Sequence, residues 1–181
     1  MSAKPRFLLV FMAVVLVTAT AVSTWSAGSA AKEKKSAIYD ITAGQSADLW
    51  LGNEGLYMPS SVYTGKVILF RPAEADLKSP RALLEKDEIG EASRFLEVSV
   101  LGSDGKEIQL LHGFVYVYFN LNSIENSLWD KGQLAIYRYD EGKHSWSECV
   151  ANNLVDKGAH GRLACLAPQS SLYALVLLPE E

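Results

Sequence analysis

The stretch Phe114-Val115-Tyr116-Val117-Tyr118-Phe119 contains only aromatic and β-branched residues, the types most enriched in β-strands. Successive side chains of a strand point to opposite faces of the sheet, so Phe114, Tyr116 and Tyr118 share one face. Both faces of this stretch are apolar or aromatic. The pattern therefore predicts a central strand that is covered on both sides.

Short apolar runs separated by turn residues continue in both directions from this stretch. Ser103-Asp104-Gly105 precedes it and Asp140-Glu141-Gly142-Lys143 follows it, and both segments are hairpin-turn signals. Such spacing is typical of a sandwich or a barrel. The other predicted strands are Ile38–Ile41, Ala47–Leu51, Leu56–Met58, Lys66–Arg71, Arg94–Leu101, Glu107–Leu111, Leu134–Tyr139, Ser145–Val150, Arg162–Leu166 and Leu172–Leu178.

Helical signals are confined to two short segments. Ser79-Pro80 offers an N-cap and a first-turn proline for a helix over Arg81–Lys86, and Leu121–Lys131 is expected to form one or two turns. The sequence therefore predicts an all-β fold, an antiparallel β-sandwich of about ten short strands with one or two short helices. We expect residues 37–181 to form a single domain.

The first 31 residues have the layout of a secretory signal peptide. Lys4 and Arg6 precede an unbroken apolar run over Phe7–Val17, and small and polar residues follow it. Cleavage is expected between Ala31 and Lys32, which leaves residues 32–36 as a charged tether before the domain. The alternative is an uncleaved membrane anchor, although the unbroken run is shorter than the roughly 20 apolar residues of a membrane span.

Export would place the domain in the periplasm, on the cell surface or outside the cell, where conditions are oxidising. Cys149 and Cys165 could then form a disulfide, worth about 3 kcal/mol in the chain-entropy account. Two free buried thiols are the alternative. Contact with a membrane is expected only through the N-terminal segment, and only if that segment is uncleaved.

The composition argues against several classes of function. The 17 basic and 21 acidic residues give a net charge of −4, whereas a nucleic-acid binder shows a basic surface. Two cysteines are too few for an all-cysteine zinc site or an iron–sulfur cluster. His112, His144 and His160 are not spaced as metal ligands. We therefore expect no metal, no cofactor and no nucleic-acid partner.

The last third of the chain has a recognisable order of residues. After the predicted strand Leu134–Tyr139 come Trp146, Cys149, a polar loop, Cys165 and then Ser171-Leu172-Tyr173-Ala174-Leu175. This order resembles the C-terminal β-sandwich segment of many secreted bacterial surface proteins. It also resembles the proteolysis-site segment of GAIN domains in adhesion receptors.

In the GAIN family the pattern after the loop is Cys-x-Cys-x-His-Leu-Ser/Thr-x-Phe-Ala, and the histidine removes the hydroxyl proton of the Ser/Thr nucleophile. The resemblance puts Ala167 at the second cysteine, Gln169 at the histidine, Ser170 at the leucine, Ser171 at the nucleophile, Tyr173 at the phenylalanine and Ala174 at the alanine. An amide has no basic nitrogen, so Gln169 cannot act as the base. The resemblance implies the fold of that family, and Gln169 argues against self-cleavage.

A second, upstream segment is similar to another sandwich domain. Leu56-Tyr57-Met58-Pro59-Ser60-Ser61-Val62 resembles the Leu-x-Ile-Pro-x-Gly-Ala segment of the domain shared by ankyrins, netrin receptors and zonula occludens proteins. Ser61-Val62 stands where that family has Gly-Ala. Such domains often precede the C-terminal segment described above, so both resemblances imply a β-sandwich.

These patterns favour a non-enzymatic structural or interaction module of a bacterial envelope or secreted protein, with an extracytoplasmic protein or a glycan as partner. No local nucleophile motif is present, and no residue is assigned a catalytic role. Tyr137 and Tyr139 share one face of a predicted strand and form a candidate binding face for a carbohydrate or other small ligand, or for a protein. The alternatives are an autoproteolytic GAIN-like module and a hydrolase whose catalytic triad assembles only in space.

Overall fold

The computed structural model describes residues 35–149, 151–153 and 161–180. All of them belong to the second of two units into which the chain divides, Glu33–Glu181. The predicted signal peptide, its cleavage site at Ala31 and Lys32, the first part of the tether and His160 lie outside the described residues. In the part of the chain that is described, no helix is long and apolar enough to cross a membrane.

The described residues form eleven strands and two short helices. Their bounds are β1 Ser36–Ile41, β2 Ala47–Leu51, β3 Glu54–Met58, β4 Gly65–Phe70, α1 Lys78–Lys86, β5 Glu91–Gly102, β6 Tyr116–Asn120, α2 Ser123–Asp130, β7 Leu134–Asp140, β8 Ser145–Cys149, β9 Ala151–Asn153, β10 Arg162–Leu166 and β11 Ser171–Leu177.

Two antiparallel sheets contain all of these strands. The six-stranded sheet has the order β1-β4-β5-β11-β7-β8, and the five-stranded sheet has the order β2-β3-β6-β10-β9. Every pairing between neighbours is antiparallel. Side chains from both sheets, such as Val67 and Leu96 from one and Leu56 and Phe119 from the other, share one buried core. The predicted all-β sandwich is confirmed.

The two sheets are joined covalently where the chain crosses from one to the other. β8 is an edge strand of the six-stranded sheet, β9 is an edge strand of the five-stranded sheet, and a single residue separates them. Cys149 ends β8, and Cys165 lies in β10 opposite Ala151 of β9. The predicted disulfide between Cys149 and Cys165 is present, with 5.7 Å between the Cα atoms. It therefore links the sheets at this crossing.

A second core covers the outer face of the six-stranded sheet. Leu77 and Leu84, from the start and the body of helix α1, pack there with Tyr139 and Trp146. The indole Nε1 of Trp146 donates a hydrogen bond to the carbonyl oxygen of Pro80, at 2.8 Å. The part of the six-stranded sheet formed by β5, β11 and β7 is thus buried on both faces, which explains why the central strand β11 is apolar along nearly its whole length.

Helix α1 begins earlier than the sequence predicts. It starts at Lys78, with Leu77 at the N-cap and no side-chain cap, so the predicted N-cap at Ser79 and start at Arg81 are wrong. Proline is tolerated anywhere in the first turn, because the N–H that it lacks has no intrahelical acceptor there. Pro80 therefore does not mark the first helical residue.

The predicted strand over Glu107–Leu111 is also wrong. Only isolated bridges form there, from Glu107 to Leu101 and from Leu110 to Gln169. The backbone N–H of Ile108 donates to Val100 in β5, whereas that of Leu111 donates to Pro168. The segment divides its hydrogen bonds between two different neighbours, so no continuous ladder forms.

The strand that decides the fold is central, and its outer face is covered only in part. β6 runs between β3 and β10, with Val117 and Phe119 in the shared core. The prediction that both faces are covered holds for Tyr118, which is 1% exposed, but it is wrong for Tyr116, which is only partly buried, and for Phe114, which precedes β6 and is 66% exposed. The two described helices pack instead on the six-stranded sheet, α1 against β5 and β8 and α2 against β7.

Candidate functional site

The outer face of the five-stranded sheet carries an open row of aromatic side chains. Trp50 is 57% exposed and Phe114 is 66% exposed, while Tyr57 and Tyr116 are partly buried. Tyr57 in β3 lies directly opposite Tyr116 in β6. We call these four side chains the aromatic face. The sequence predicts a covered position for Phe114 and Tyr116 and assigns no binding role to Trp50 or Tyr57, so it does not predict this row.

Three rings of the aromatic face lie nearly parallel. The rings of Phe114 and Tyr116 differ by 9° in orientation, and those of Tyr57 and Tyr116 differ by 25°. The centroid distance is 6.4 Å in both pairs. The register explains the pair Tyr57 and Tyr116, which are cross-strand partners, whereas Phe114 lies two residues before β6 begins at Tyr116.

A group of polar side chains lies beside the aromatic face on the same side of the sheet. Nη1 of Arg162 in β10 lies 3.0 Å from Oδ2 of Asp48 in β2, and Nε donates to Oδ1 of Asn120 at 3.3 Å. The guanidinium carbon also lies 4.0 Å from the centre of the Tyr118 ring. We call Asp48, Tyr118, Asn120 and Arg162 the polar cluster. It connects β2, at one edge of the sheet, with β6 and β10.

Tyr118 forms the floor of the polar cluster. Its ring crosses Gly55, where a Cβ atom would come within 2.4 Å of the ring and 2.2 Å of the Leu49 carbonyl oxygen. The phenol donates a hydrogen bond to that carbonyl at 3.2 Å. Burial raises the pKa of Tyr118, and the nearby charge of Asp48 raises it further. The hydroxyl therefore stays protonated at neutral pH and acts as a fixed donor.

The binding face predicted at Tyr137 and Tyr139 is largely covered. Tyr139 is only 7% exposed, and its ring centroid lies 5.2 Å from that of Trp146 in the second core. Tyr137 packs against the same core, and burial raises its pKa, with a further contribution from the charge of Glu148. Helix α1 covers this side of the sheet, so Tyr139 cannot contribute to an exposed platform.

Gln169, Ser170 and Ser171, at positions that resemble the GAIN proteolysis site, line a polar cavity of about 390 Å³. The Ser171 hydroxyl donates to the Tyr139 carbonyl oxygen. The Ser170 hydroxyl donates to the Ile108 carbonyl oxygen at 2.8 Å and accepts from the Val100 N–H at 3.1 Å. Both serine side chains thus connect neighbouring segments of backbone.

The remaining positions of this motif also pack within the fold. The Tyr173 hydroxyl donates to the Gln169 carbonyl oxygen at 2.7 Å, and burial raises the pKa of Tyr173. Trp146 and Ala174 lie in the second core. The structure therefore brings the motif residues to one end of β11, where the contacts described here are those of strand packing.

The same cavity is acidic. Its lining includes Glu97, Glu107 and Glu141, and the pKa of Glu97 is raised by burial and by the charges of Glu141, Glu107 and Asp76. Among the described residues, no group of three or more His, Cys, Asp or Glu side chains could hold a metal ion.

The two described histidines contact neither serine of this motif. The backbone N–H of His112 donates to the Tyr63 hydroxyl, and Nδ1 of His144 lies 3.3 Å from the Tyr139 hydroxyl. Within residues 35–149, 151–153 and 161–180, no histidine side chain is hydrogen-bonded to Ser170 or Ser171.

A buried charge network lies at one end of the sandwich. Glu54 is only 2% exposed, and its carboxylate is paired with Arg71 and Arg94. Arg94 also bonds Glu125, whose carboxylate accepts the Asn122 N–H in the capping box of helix α2. The network therefore connects β3, β5 and α2 with the residue that follows β4.

Sequence reasoning missed this network. The predicted strands Ala47–Leu51 and Leu56–Met58 leave residues 52–55 as the turn between them, but Glu54 is the first residue of β3 and pairs with Leu51. A turn over 52–55 would leave the carboxylate in solvent, whereas the strand directs it towards the arginines. The two-residue hairpin between β2 and β3 is tighter than predicted.

Comparison of this chain with protein-family models, with curated proteins and with solved structures found no match. The fold defines a disulfide-linked antiparallel β-sandwich. Its exposed features of chemical interest are the aromatic face and the polar cluster beside it.

Proposed function

We propose that this chain is a non-enzymatic interaction module of a bacterial envelope or secreted protein, and that it binds its partner through the aromatic face. The observation that carries the proposal is the exposure of Trp50 and Phe114 at 57% and 66%. Contiguous exposed apolar surface marks interaction sites, and aromatic residues are enriched in them. Proteins rarely expose several neighbouring aromatic side chains to solvent unless that surface binds a partner.

The setting of the proposal is extracytoplasmic. The Cys149–Cys165 disulfide indicates an oxidising compartment. The composition of residues 1–31 supports export by a signal peptide or anchor. The periplasm, the cell surface and the extracellular medium all satisfy these observations.

A binding role is favoured over self-cleavage by the surroundings of Ser171. Its hydroxyl is bonded to the Tyr139 carbonyl oxygen, and Gln169 stands where a histidine base would be needed. A nucleophile needs an adjacent base to remove its proton. The contacts of the motif residues support packing of β11 as their role.

The test is co-sedimentation of the purified exported chain with isolated bacterial envelopes. Phe114→Ala removes an exposed ring, and we expect it to lower the bound fraction about tenfold, as for loss of one interface anchor. Ile38→Ala is the matched control, because Ile38 is 63% exposed and lies in the other sheet. Equal binding by the Phe114→Ala chain, or no binding by the unaltered chain, would overturn the proposal.

A further inference from the structure

We propose that the ligand of the aromatic face is a neutral oligosaccharide, held by stacking on the rings of Tyr57, Tyr116 and Phe114 and by hydrogen bonds to the polar cluster. This inference rests on the proposed function and names the class of ligand for the same site. Three observations carry it: the parallel rings, the tethered polar side chains beside them and the balance of charge.

The rings of Tyr57, Tyr116 and Phe114 can stack on the apolar side of a sugar chain. Aromatic faces carry partial negative charge and attract the partly positive C–H groups that a pyranose ring presents on one side. Tyr57, Tyr116 and Phe114 are nearly parallel, and successive centroids are 6.4 Å apart. The three rings thus offer a repeated contact to a repeating ligand.

The polar cluster matches the hydroxyl groups of the same ligand. Asp48 is the direct cross-strand neighbour of Tyr57, so a carboxylate lies next to one of the three parallel rings. Asp48 and Arg162 are planar groups that can bond two adjacent hydroxyls at once. Nη2 of Arg162 has no hydrogen-bond partner among the described residues, and it remains available as a donor.

The polar cluster is also held in place before a ligand arrives. Arg162 is bonded to Asp48 and Asn120 and lies over the Tyr118 ring. Side chains that are already ordered lose less conformational freedom on binding, so weak contacts contribute more to affinity. A fixed set of donors and acceptors suits a rigid sugar ring.

The charge of the site favours a neutral ligand over an acidic one. The carboxylate of Asp48 and the guanidinium of Arg162 form an ion pair, so the polar cluster carries no net charge. The whole chain has a net charge of −4, which disfavours uronic-acid polymers and anionic membrane surfaces. A neutral hexose or N-acetylhexosamine chain needs no charged partner in the polar cluster and is not repelled by the negative net charge of the protein.

The direct test is calorimetric titration of the full exported chain with neutral hexasaccharides: cellohexaose, chitohexaose, maltohexaose and mannohexaose. We expect at least one to bind, with hexagalacturonate at least tenfold weaker. Phe114→Ala and Asp48→Asn should each weaken that binding at least tenfold, whereas Ile38→Ala should leave it unchanged. Failure of all four neutral sugars to bind, or equal binding by the Phe114→Ala chain, would overturn the inference.

A second measurement separates this inference from the proposed function. Before co-sedimentation, envelopes are treated either with a protease or with periodate and chitinase, which together degrade hexose chains and 4-linked N-acetylhexosamine chains. Loss of binding after the periodate and chitinase treatment supports the glycan. Binding that survives that treatment, is lost after protease and still depends on Phe114 overturns the glycan and keeps the interaction module. Binding to envelopes that never depends on Phe114 overturns both.

Discussion

The guanidinium of Arg162 lies over the ring of Tyr118, with 4.0 Å between the guanidinium carbon and the ring centre. Beneath the ring is Gly55, which leaves room for Tyr118 to cross β3 and reach the Leu49 carbonyl oxygen. Arg162, Tyr118 and Gly55 thus form three layers on the outer face of the five-stranded sheet. The orientation of the polar cluster depends on this stacking.

Gly55→Ala tests the layering. The added Cβ would lie 2.2 Å from the Leu49 carbonyl oxygen, so backbone must shift, and Tyr118 must move with it. We expect the free energy of unfolding in urea to fall by about 1–3 kcal/mol, as for overpacking of a filled core. Gly142→Ala is the control, because its nearest neighbour would be a side-chain oxygen at 3.5 Å. Equal stability of the two variants would contradict the layering.

The buried carboxylate of Glu54 should be far more important for stability than an exposed one. Glu54→Gln leaves the charges of Arg71 and Arg94 without this partner, and we expect a loss of about 3 kcal/mol. Glu74→Gln also removes an ion pair to an arginine, but the Glu74 side chain is exposed, so a loss below about 1 kcal/mol is expected. Chemical denaturation measures both, and similar losses would refute the distinction.

Loss of the disulfide should destabilise the fold without abolishing it. Cys149 and Cys165 are 16 residues apart, and a loop of that length corresponds to about 3 kcal/mol. Thermal unfolding of the Cys149→Ala/Cys165→Ala chain should show a lower Tm, and the unaltered chain should show the same decrease in reductant. A Tm that is insensitive to both changes would show that the link between the sheets does not constrain the chain.

Stability should decrease as the pH rises above about 4.5, the ordinary pKa of a glutamate, in part because of Glu97. Burial and the nearby carboxylates raise the pKa of Glu97, so the folded state holds this proton more tightly than the unfolded chain does. An acid with a raised pKa therefore contributes a loss of stability as the pH rises from the unfolded to the folded pKa.

Glu97→Gln removes this contribution. The variant should have a flatter profile of Tm against pH and a higher Tm than the unaltered chain at neutral pH. Glu91→Gln, which removes an exposed carboxylate from the start of the same strand, controls for the loss of one charge. A Glu97→Gln chain with an unchanged profile would rule out Glu97 as the source of the slope.

Most of the fold follows from local patterns in the sequence. Alternation and turn residues predict the strands of both sheets, as in Leu134–Tyr139 and Arg162–Leu166, because each pattern reflects which side chains the strand buries. Glu107–Leu111 has a similar pattern but forms only isolated bridges. Its hydrogen-bond partners come from distant parts of the chain, and no local pattern records them.

The candidate site depends on which sheet face the helix covers, and this cannot be read locally. The outer faces of β6 and β7 both carry two tyrosines, and the sequence assigns the exposed face to β7. Helix α1 packs against β5 and β8, and its Leu84 shares the second core with Trp146 and Tyr139, so Tyr139 is buried while Tyr116 stays accessible. The choice between these two faces is made by long-range packing.

The most direct test of the aromatic face as the binding site is hydroxyl-radical footprinting of the full exported chain, free and bound to envelopes. The aromatic face consists of four reactive side chains, Trp50, Tyr57, Phe114 and Tyr116, and we expect binding to lower their oxidation while the exposed control Ile38 is unaffected. Protection of Tyr137 and Ile38, with the four rings still oxidised at their free rate, would contradict it and would place the interaction on the six-stranded sheet.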